Sequence, residues 1–309
     1  MKRIICLTTL LLVSCGAASS FDPASSLPPI FSSSSDEEKA PPSYRVMSWN
    51  VYLGRGDMGK LADVIEQNHP DIINLQECTD PCKNMLRDVL GRVEEYVLVC
   101  DKIGNMTCAT PIIFDSSRFD YIDSGSEMLE DIYEGVKTKS LSYLVLEEKE
   151  SGRGLIHLNF HGAVCTPNYD GYENYTSEEC SSIAMSWKEG NVHQLMDKAE
   201  ELKRQFGNYP IEFSGDCNFD EDSSPYQSVV SSGYFDAEKT AIEEKTQDGL
   251  KSNHPLAGEC KEGKTIDHIF ADKKLTFLKH HIERGHDALV ASDHCPVLAM
   301  VKMEDAPYA

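Results

Sequence analysis

Four features are missing from this chain: paired Cys-x-x-Cys spacing, a long apolar run, an internal repeat and a large store of basic residues. Without paired Cys-x-x-Cys motifs no zinc-ribbon or zinc-finger module is expected. The longest apolar run, near the N-terminus, is about ten residues, whereas a membrane-crossing helix needs about 20, so no transmembrane segment is expected in the mature chain. The lack of any fixed period excludes solenoids and propellers. Lys and Arg number 29 against 51 Asp and Glu, a net charge of −22. That balance excludes a broad basic surface gripping nucleic acid by counterion release. It leaves room for a local basic patch, or for a metal that neutralises part of the field. Tryptophan is scarce, with Trp49 and Trp187 alone, and no aromatic hairpin of the kind that dips into a lipid surface is evident.

What is present begins with a leader. "MKRIICLTTLLLVSCGAASS" places Lys2 and Arg3 before the apolar run and small residues after it, the pattern of a secretory signal peptide cut near Ala18. "LVSC" ending at Cys15 also fits a bacterial lipoprotein signal, with the lipid on that Cys. "NMT" at Asn105 and "NYT" at Asn174 are two glycosylation acceptors and favour a secreted eukaryotic protein. Residues 19–43, "SFDPASSLPPIFSSSSDEEKAPPS" from Ser20, are rich in Ser, Pro and acid and read as a disordered linker. A single domain is expected over 44–303, with a short tail at 304–309. Of eleven Cys, removal of the leader takes Cys6 and Cys15 and leaves nine. In an oxidising compartment Cys78 with Cys82, Cys100 with Cys108, and Cys165 with Cys180 are the local pairing options. Cys217 and Cys295 read as small buried core residues.

From Tyr44 the pattern alternates between strand and helix. "YRVMSWN", "DIINLQE", "EYVLVCD", "PIEFSGDCN", "TIDHIFAD" and "HCPVLAMVKM" read as strands, and "KSLSYLVLEEKESGRGLIHLNFHG" as a hairpin turning at "SGRG". "MGKLADVIEQNHP", "KNMLRDVLGRV", "NVHQLMDKAEELKRQFG" and "PYQSVVSSG" have helical spacing. Many short strands with interspersed helices, on a chain that is 40% hydrophobic, suit an α/β fold of two packed sheets with helices outside.

Six of these segments end in polar residues: Asn50, Glu77, His161, Asp216 with Asn218, Asp267, and Asp293 with His294. Alternate strand residues share a face, so Asp216 and Asn218 point to one side while Cys217 points to the other. One such residue alone is usually a turn-former or a cap. Six strand ends carrying only oxygen and imidazole groups point to a common target. Oxygen ligands suit Mg²⁺, with Mn²⁺ or Ca²⁺ as options, and crowded carboxylates need a cation among them. Two imidazoles add acid–base or charge-stabilising chemistry near neutral pH. Together they supply what metal-assisted hydrolysis of a phosphate ester requires. His157, His193, His254, His280 and His281 read as ordinary surface or core histidines.

The set "SWN", "LQE", "NFHG", "GDCN", "IDHIF" and "SDHCPV" resembles the endonuclease/exonuclease/phosphatase superfamily across residues 44 to 303. The resemblance implies a four-layered α/β sandwich of deoxyribonuclease-like fold, two mixed β-sheets flanked by helices, with a site between the sheets at their strand ends. It implies a divalent metal held chiefly by Glu77, with Asn50 and Asp293 close by. Asp216 would orient or deprotonate water and Asn218 would hold a phosphate oxygen. His294, steered by Asp267, would act as base or bind phosphate. His161 would stabilise the transition state or protonate the leaving group. Asp101, at the end of "VLVCD", would be the acid paired with His161. Hallmarks of individual branches are missing: "KTI" precedes Asp267, His268 follows it, and "KIGNMTCATP" carries only Lys102 where deoxyribonucleases place groove-binding residues. The expectation is a secreted, monomeric, Mg-dependent phosphodiesterase, a nuclease first. Sphingomyelinase-like or inositol-phosphate hydrolysis comes second, and a non-catalytic binding protein on the same fold third.

Overall fold

The structure is a computed structural model, and it describes residues 42–103, 106–130, 139–165, 167, 173–246, 250–256 and 263–304. The expected leader, most of the linker, Cys15, Asn105 and the residues after 304 lie outside these. Asn174 is exposed. No helix among the described residues is long and apolar enough to cross a membrane.

Among the described residues fourteen strands and six α-helices follow one another: β1 Ser43–Asn50, α1 Met58–Asn68, β2 Ile72–Gln76, α2 Asp80–Leu90, β3 Tyr96–Val99, β4 Lys102–Ile103, β5 Met106–Thr107, β6 Ile112–Asp115, β7 Phe119–Met128, β8 Ser140–Glu148, β9 Arg153–His161, α3 Ser177–Gln205, β10 Ile211–Asp216, α4 Ser224–Ser231, β11 Tyr234–Asp236, α5 Ala237–Thr240, β12 Asp267–Asp272, β13 Leu275–Ile282, α6 His286–Ala291 and β14 Val297–Met303. They form two six-stranded mixed sheets, ordered β13-β14-β1-β2-β6-β3 and β11-β12-β10-β9-β8-β7, with β4 and β5 as a separate ribbon. The sheets pack face to face and helices cover their outer faces, as the alternation of elements led one to expect.

Three apolar cores hold the layers. Leu61, Ile65 and Leu86 of α1 and α2 pack on Trp49, Ile73 and Leu75 of the first sheet. Val192, Leu195, Ala199 and Leu202 of α3 pack on Ile156, Leu158 and Phe213 of the second. Between the sheets, Tyr44, Val46, Leu144 and Val301 belong to one buried cluster. Toward the site this layer becomes polar. Asn74 Nδ2 donates to the Leu158 carbonyl at 2.9 Å and to Ser214 Oγ at 2.8 Å, while Gln76 Nε2 donates to Asn159 Oδ1 at 2.8 Å. Buried amides satisfied this way lock the register of one sheet against the other.

That register decides where the polar strand ends fall. β1 and β2 are parallel with Asn50 beside Gln76, which puts Glu77 one step further on. β9 and β10 are parallel with His161 beside Asp216, and β12 runs antiparallel to β10 with Asp267 beside Asp216. Three site residues therefore stand in a row across neighbouring strands. Gly215 permits this row: a Cβ there would sit 1.7 Å from the Phe160 carbonyl oxygen, so no larger residue fits at this crossing.

The structure corrects two readings. α3 begins at Ser177, well before Asn191, because Thr176 caps it: its hydroxyl accepts from Glu179 N at 3.2 Å, and Glu179 reaches back to Thr176 N at 2.7 Å. Cys295 is buried but is not merely a packing residue; it is disulfide-bonded, to a partner outside the described residues. The expected local pairs lie close but are free thiols, with Sγ–Sγ distances of 3.3 Å for Cys78–Cys82 and 3.4 Å for Cys100–Cys108, and a hydrogen bond joining Cys165 and Cys180.

Candidate active site

Asp216 is the hub of the site. Its Oδ2 accepts from Asn50 Nδ2 at 2.9 Å and lies 3.5 Å from His161 Nε2 and 3.8 Å from His294 Nε2. Its Oδ1 accepts from Asn218 N at 3.0 Å, and Asn218 Nδ2 donates to the Gly162 carbonyl at 3.0 Å. Asn50, and His294 on the loop before β14, come from the first sheet, while Asp216, His161 and Asn218 come from the second sheet and its loops, so the cluster closes the cleft between the sheets. Asn218 and Glu77 both adopt left-handed backbone, φ 55° and 53°. Non-glycine residues held there are over-determined by their surroundings, a condition found at functional sites.

His294 is fixed from several sides. Its Nδ1 pairs with Asp267 Oδ2 at 2.8 Å, and Asn253 Nδ2 lies 3.2 Å from its Nε2. Its carbonyl accepts from Trp49 Nε1 at 2.8 Å. Ser292 Oγ donates to the Asn50 carbonyl at 2.6 Å and accepts from His294 N at 3.1 Å, which ties the loop before β14 to the end of β1. Ser252 Oγ accepts from Asp267 N at 3.1 Å and from Ile266 N at 3.0 Å.

Charge in the site is crowded. Burial pushes the Asp216 carboxyl up to about 6, with Asp267 adding to the shift and His294 and Lys139 opposing it. Burial also raises Asp293, opposed by His294 and reinforced by the nearby Glu77 carboxylate. Burial works against a charged His294, yet Asp267 and Asp216 outweigh it and lift the imidazole to about 10. The two carboxylates thus favour the imidazolium, suited to holding an anion, a form in which the Asn253 amide must turn its oxygen rather than its nitrogen to Nε2. Asp267 Oδ1 and Asp293 Oδ1 are buried and have no hydrogen-bond partner among the described residues, which is costly unless something else meets them.

Asp216, Asp267 and His294 bring ligand atoms within 4.8 Å of one another, a donor set able to hold a metal ion. Both ring nitrogens of His294 already have partners, however. Glu77, whose charge bears on Asp293, and the orphaned Asp293 oxygen offer hard oxygen donors of the kind a divalent cation takes. The donor chemistry fits such an ion.

Two placements depart from expectation. Asp101 shows no interaction with His161 among the described residues, and its charge bears on Tyr143 of β8. β3 is the edge strand of its sheet, and the β4–β5 ribbon that follows packs on β7, away from His161. The position beside His161 belongs to Lys139, whose Nζ lies 2.6 Å from His161 Nε2, both side chains being buried. Burial, then the charges of Lys139 and His294, hold His161 well below the usual imidazole range. Sequence reasoning missed Lys139 and Asn253 because no motif marks either. His254, read as ordinary, donates its backbone N–H to the Asp293 carbonyl at 2.8 Å, and its charge bears on that carboxylate.

The fold is shared with solved structures. An endonuclease/exonuclease/phosphatase family protein from Bacteroides thetaiotaomicron matches with a TM-score of 0.68 and 19% identity, over 87% of this chain and 98% of that one. A mannosyl-6-phosphatase from Bacteroides thetaiotaomicron matches at 0.64 and 18%, over 84% and 99%. The human Nocturnin catalytic domain with bound sulfate matches at 0.60 and 17%, over 85% and 96%. No curated protein matches the sequence. The model of the Endonuclease/Exonuclease/phosphatase family matches residues 47–294, a span that runs from β1 to His294 and takes in every strand end described above; the chain belongs to that family.

Proposed function

We propose that this protein is a secreted, divalent-metal-dependent phosphoesterase that cleaves phosphodiester bonds, with short or single-stranded nucleic acid as its first substrate class. The observation that carries the reading is the convergence on Asp216 of Asn50, His161, Asn218 and His294, beside an acidic pair, Glu77 and Asp293, that has an unmet oxygen. The family's relatedness supports phosphoester hydrolysis, and the leader supports secretion.

Glu77, Asp293 and Asn50 would hold the cation, Mg²⁺ by preference, which supplies charge neutralisation to the phosphoryl oxygens when bound. Asp216, with its carboxyl raised toward neutrality, orients the attacking water and takes its proton. Asn50 fixes the Asp216 carboxylate, and the Asn218 backbone holds its other oxygen. The His294 imidazolium, kept in place by Asp267, donates to a phosphoryl oxygen as charge builds there. His161 and Lys139 form the opposite wall, where the leaving oxygen departs. A net charge of −22 disfavours a grip on long duplexes, which is why short or single strands are proposed. A binding protein without catalysis would gain nothing from carboxylates held together at this cost.

The test is one panel: the protein with Mg²⁺, Mn²⁺ or Ca²⁺, given plasmid DNA, RNA, sphingomyelin, phosphoinositides and an aryl phosphodiester. Metal-dependent hydrolysis is expected, with nucleic acid the best substrate. Asp216→Asn and His294→Gln should each lower turnover by about 10³-fold or more. Silence on all five substrates with every metal would sink the reading, as would either variant remaining near wild-type rate.

A further inference from the structure

In so acidic a chain a local gathering of lysines is a feature to explain. Lys139 stands against His161 at the inner wall of the cleft. Lys188 and Lys264 come from two other elements that the fold brings to the same wall. The middle of α3 is pinned there by Asn191, which accepts from Ala163 N at 3.0 Å, just past His161, and donates to the Glu130 carbonyl at 2.7 Å. Lys188 lies three residues earlier on that helix, so it shares the face of Asn191. Lys264 is placed by Asn253, which forms β-bridges to both Lys264 and His294, with Asn253 N donating to the Lys264 carbonyl at 2.9 Å. The segment carrying His294's neighbour thus carries Lys264 as well.

Lys188 is half-buried and Lys264 exposed, and the charges of Lys264 and Lys139 both bear on Lys188. Burial first, and then Lys264, hold Lys188 below the ordinary lysine value; Asp216 and Asp220 oppose that shift and Lys139 adds to it. Neither Lys188 nor Lys264 has a side-chain hydrogen bond or ion pair among the described residues. These two lysines, left without such a partner beside a phosphate-handling centre, are arranged for an anion that is not part of the protein.

Resting on the catalytic reading above, we infer that Lys188 and Lys264, outward of Lys139, form a subsite for a second phosphate of the substrate, next to the phosphate that is cleaved. Two sources offer that group: the neighbouring backbone or terminal phosphate of an oligonucleotide, or the second phosphate of a small bisphosphorylated metabolite. A lysine is a point charge suited to phosphate. The two outer lysines recognise the charge without touching the reacting atoms, so they set specificity and not the chemical step.

The test has a binding arm and a rate arm, both on the intact chain. With EDTA present, calorimetric titration with inorganic pyrophosphate should give binding that weakens at least tenfold in Lys188→Met and in Lys264→Glu. Lys149→Ala, altering a lysine paired with Asp120 on the β8–β9 turn, should leave it unchanged. With metal present, kcat/KM is compared for a dinucleotide with and without a 5′-phosphate, and for a sugar carrying one or two phosphates. The added phosphate should improve kcat/KM for one pair, which identifies the source, and the improvement should vanish in both variants while the singly charged partner is cleaved as before. Pyrophosphate binding indifferent to both variants, or equal loss on both members of each pair, overturns the inference. If lysine-dependent pyrophosphate binding is found but no ester is cleaved with any metal, the subsite stands and the catalytic reading falls. If an aryl diester is cleaved but the lysines prove silent, only the subsite falls.

Discussion

Lys139 Nζ lies 2.6 Å from His161 Nε2, and an ammonium has no lone pair to offer. The lysine must donate and the imidazole accept, which fixes His161 as the neutral Nδ1–H tautomer. In that state Nε2 has no proton for a leaving group, so the ammonium is the positive group nearest the departing oxygen. Replacement of Lys139 by Met keeps the buried stem and removes the charge. We expect kcat to fall by about 10²-fold, in line with loss of one preorganised donor, with KM changed much less. Nitrogen-detected NMR should show a single His161 tautomer in the wild type and a mixture in the variant. An unchanged tautomer and rate would make Lys139 a packing residue only. At this scale the eight residues were legible because each is a polar group bordering an apolar run, closing β1, β2, β9 or β10 or, for Asp267, Asp293 and His294, leading into β12 or β14, and the structure brings them to one cleft. Lys139 was not legible: "TKSLS" carries no motif, and only the pairing of β8 with β9 sets its neighbour. Asp101 failed for the complementary reason, since its position depends on how an edge strand leaves its sheet.

Elements bounded by strong local signals were readable in sequence, and those bounded by tertiary contacts were not. Pro70 and the left-handed His69 stop α1 where periodicity put its end. The first half of α3 was hidden by its polar composition and by Gly190, although Thr176 and Glu179 make a capping box in plain view. β11 and β13 escaped notice because they are short or irregular, β13 being shifted in register between Phe277 and Lys279. Cysteine spacing carried through as proximity alone, since the six thiols lie in pairs but are free. Cys78 and Cys82 lie beside Glu77, Cys100 and Cys108 pack near buried Lys83, and Cys165 meets Cys180 at the start of α3. If the protein is secreted these contacts should close into disulfides. Mass spectrometry of the unreduced protein should then show three local bonds. Serine at Cys165 and Cys180 together, opening a loop of about 15 residues, should cost about 3 kcal/mol. Free thiols at all six positions in protein recovered from an extracellular medium would count against both the bonds and the proposed compartment.

The architecture as a whole explains why one cation should matter so much. Two sheets held together by buried amides present Asn50 and Glu77 from one side and His161, Asp216 and Asp267 from the other. Burial first, and neighbouring carboxylates after it, raise Asp216 and Asp293, and an ion bound only in the folded state would relieve that strain. Binding therefore couples to global stability: at a hundredfold excess over Kd it adds about 2.7 kcal/mol, a rise in Tm on the order of 5 °C. We expect Mg²⁺ or Mn²⁺ to raise Tm by that order and EDTA to reverse it. Glu77→Gln and Asp293→Asn should abolish the rise while melting, without metal, at or above the wild-type temperature, because each removes a repelling charge. Glu127→Gln, in an ion pair with the half-buried Lys198 on α3, should leave the metal response intact. A metal-induced rise that survives in both acidic-pair variants would place the ion elsewhere, on Asp216, Asp267 and His294. No rise with any divalent metal would remove the cation from the site and with it the reason for six strand ends to meet.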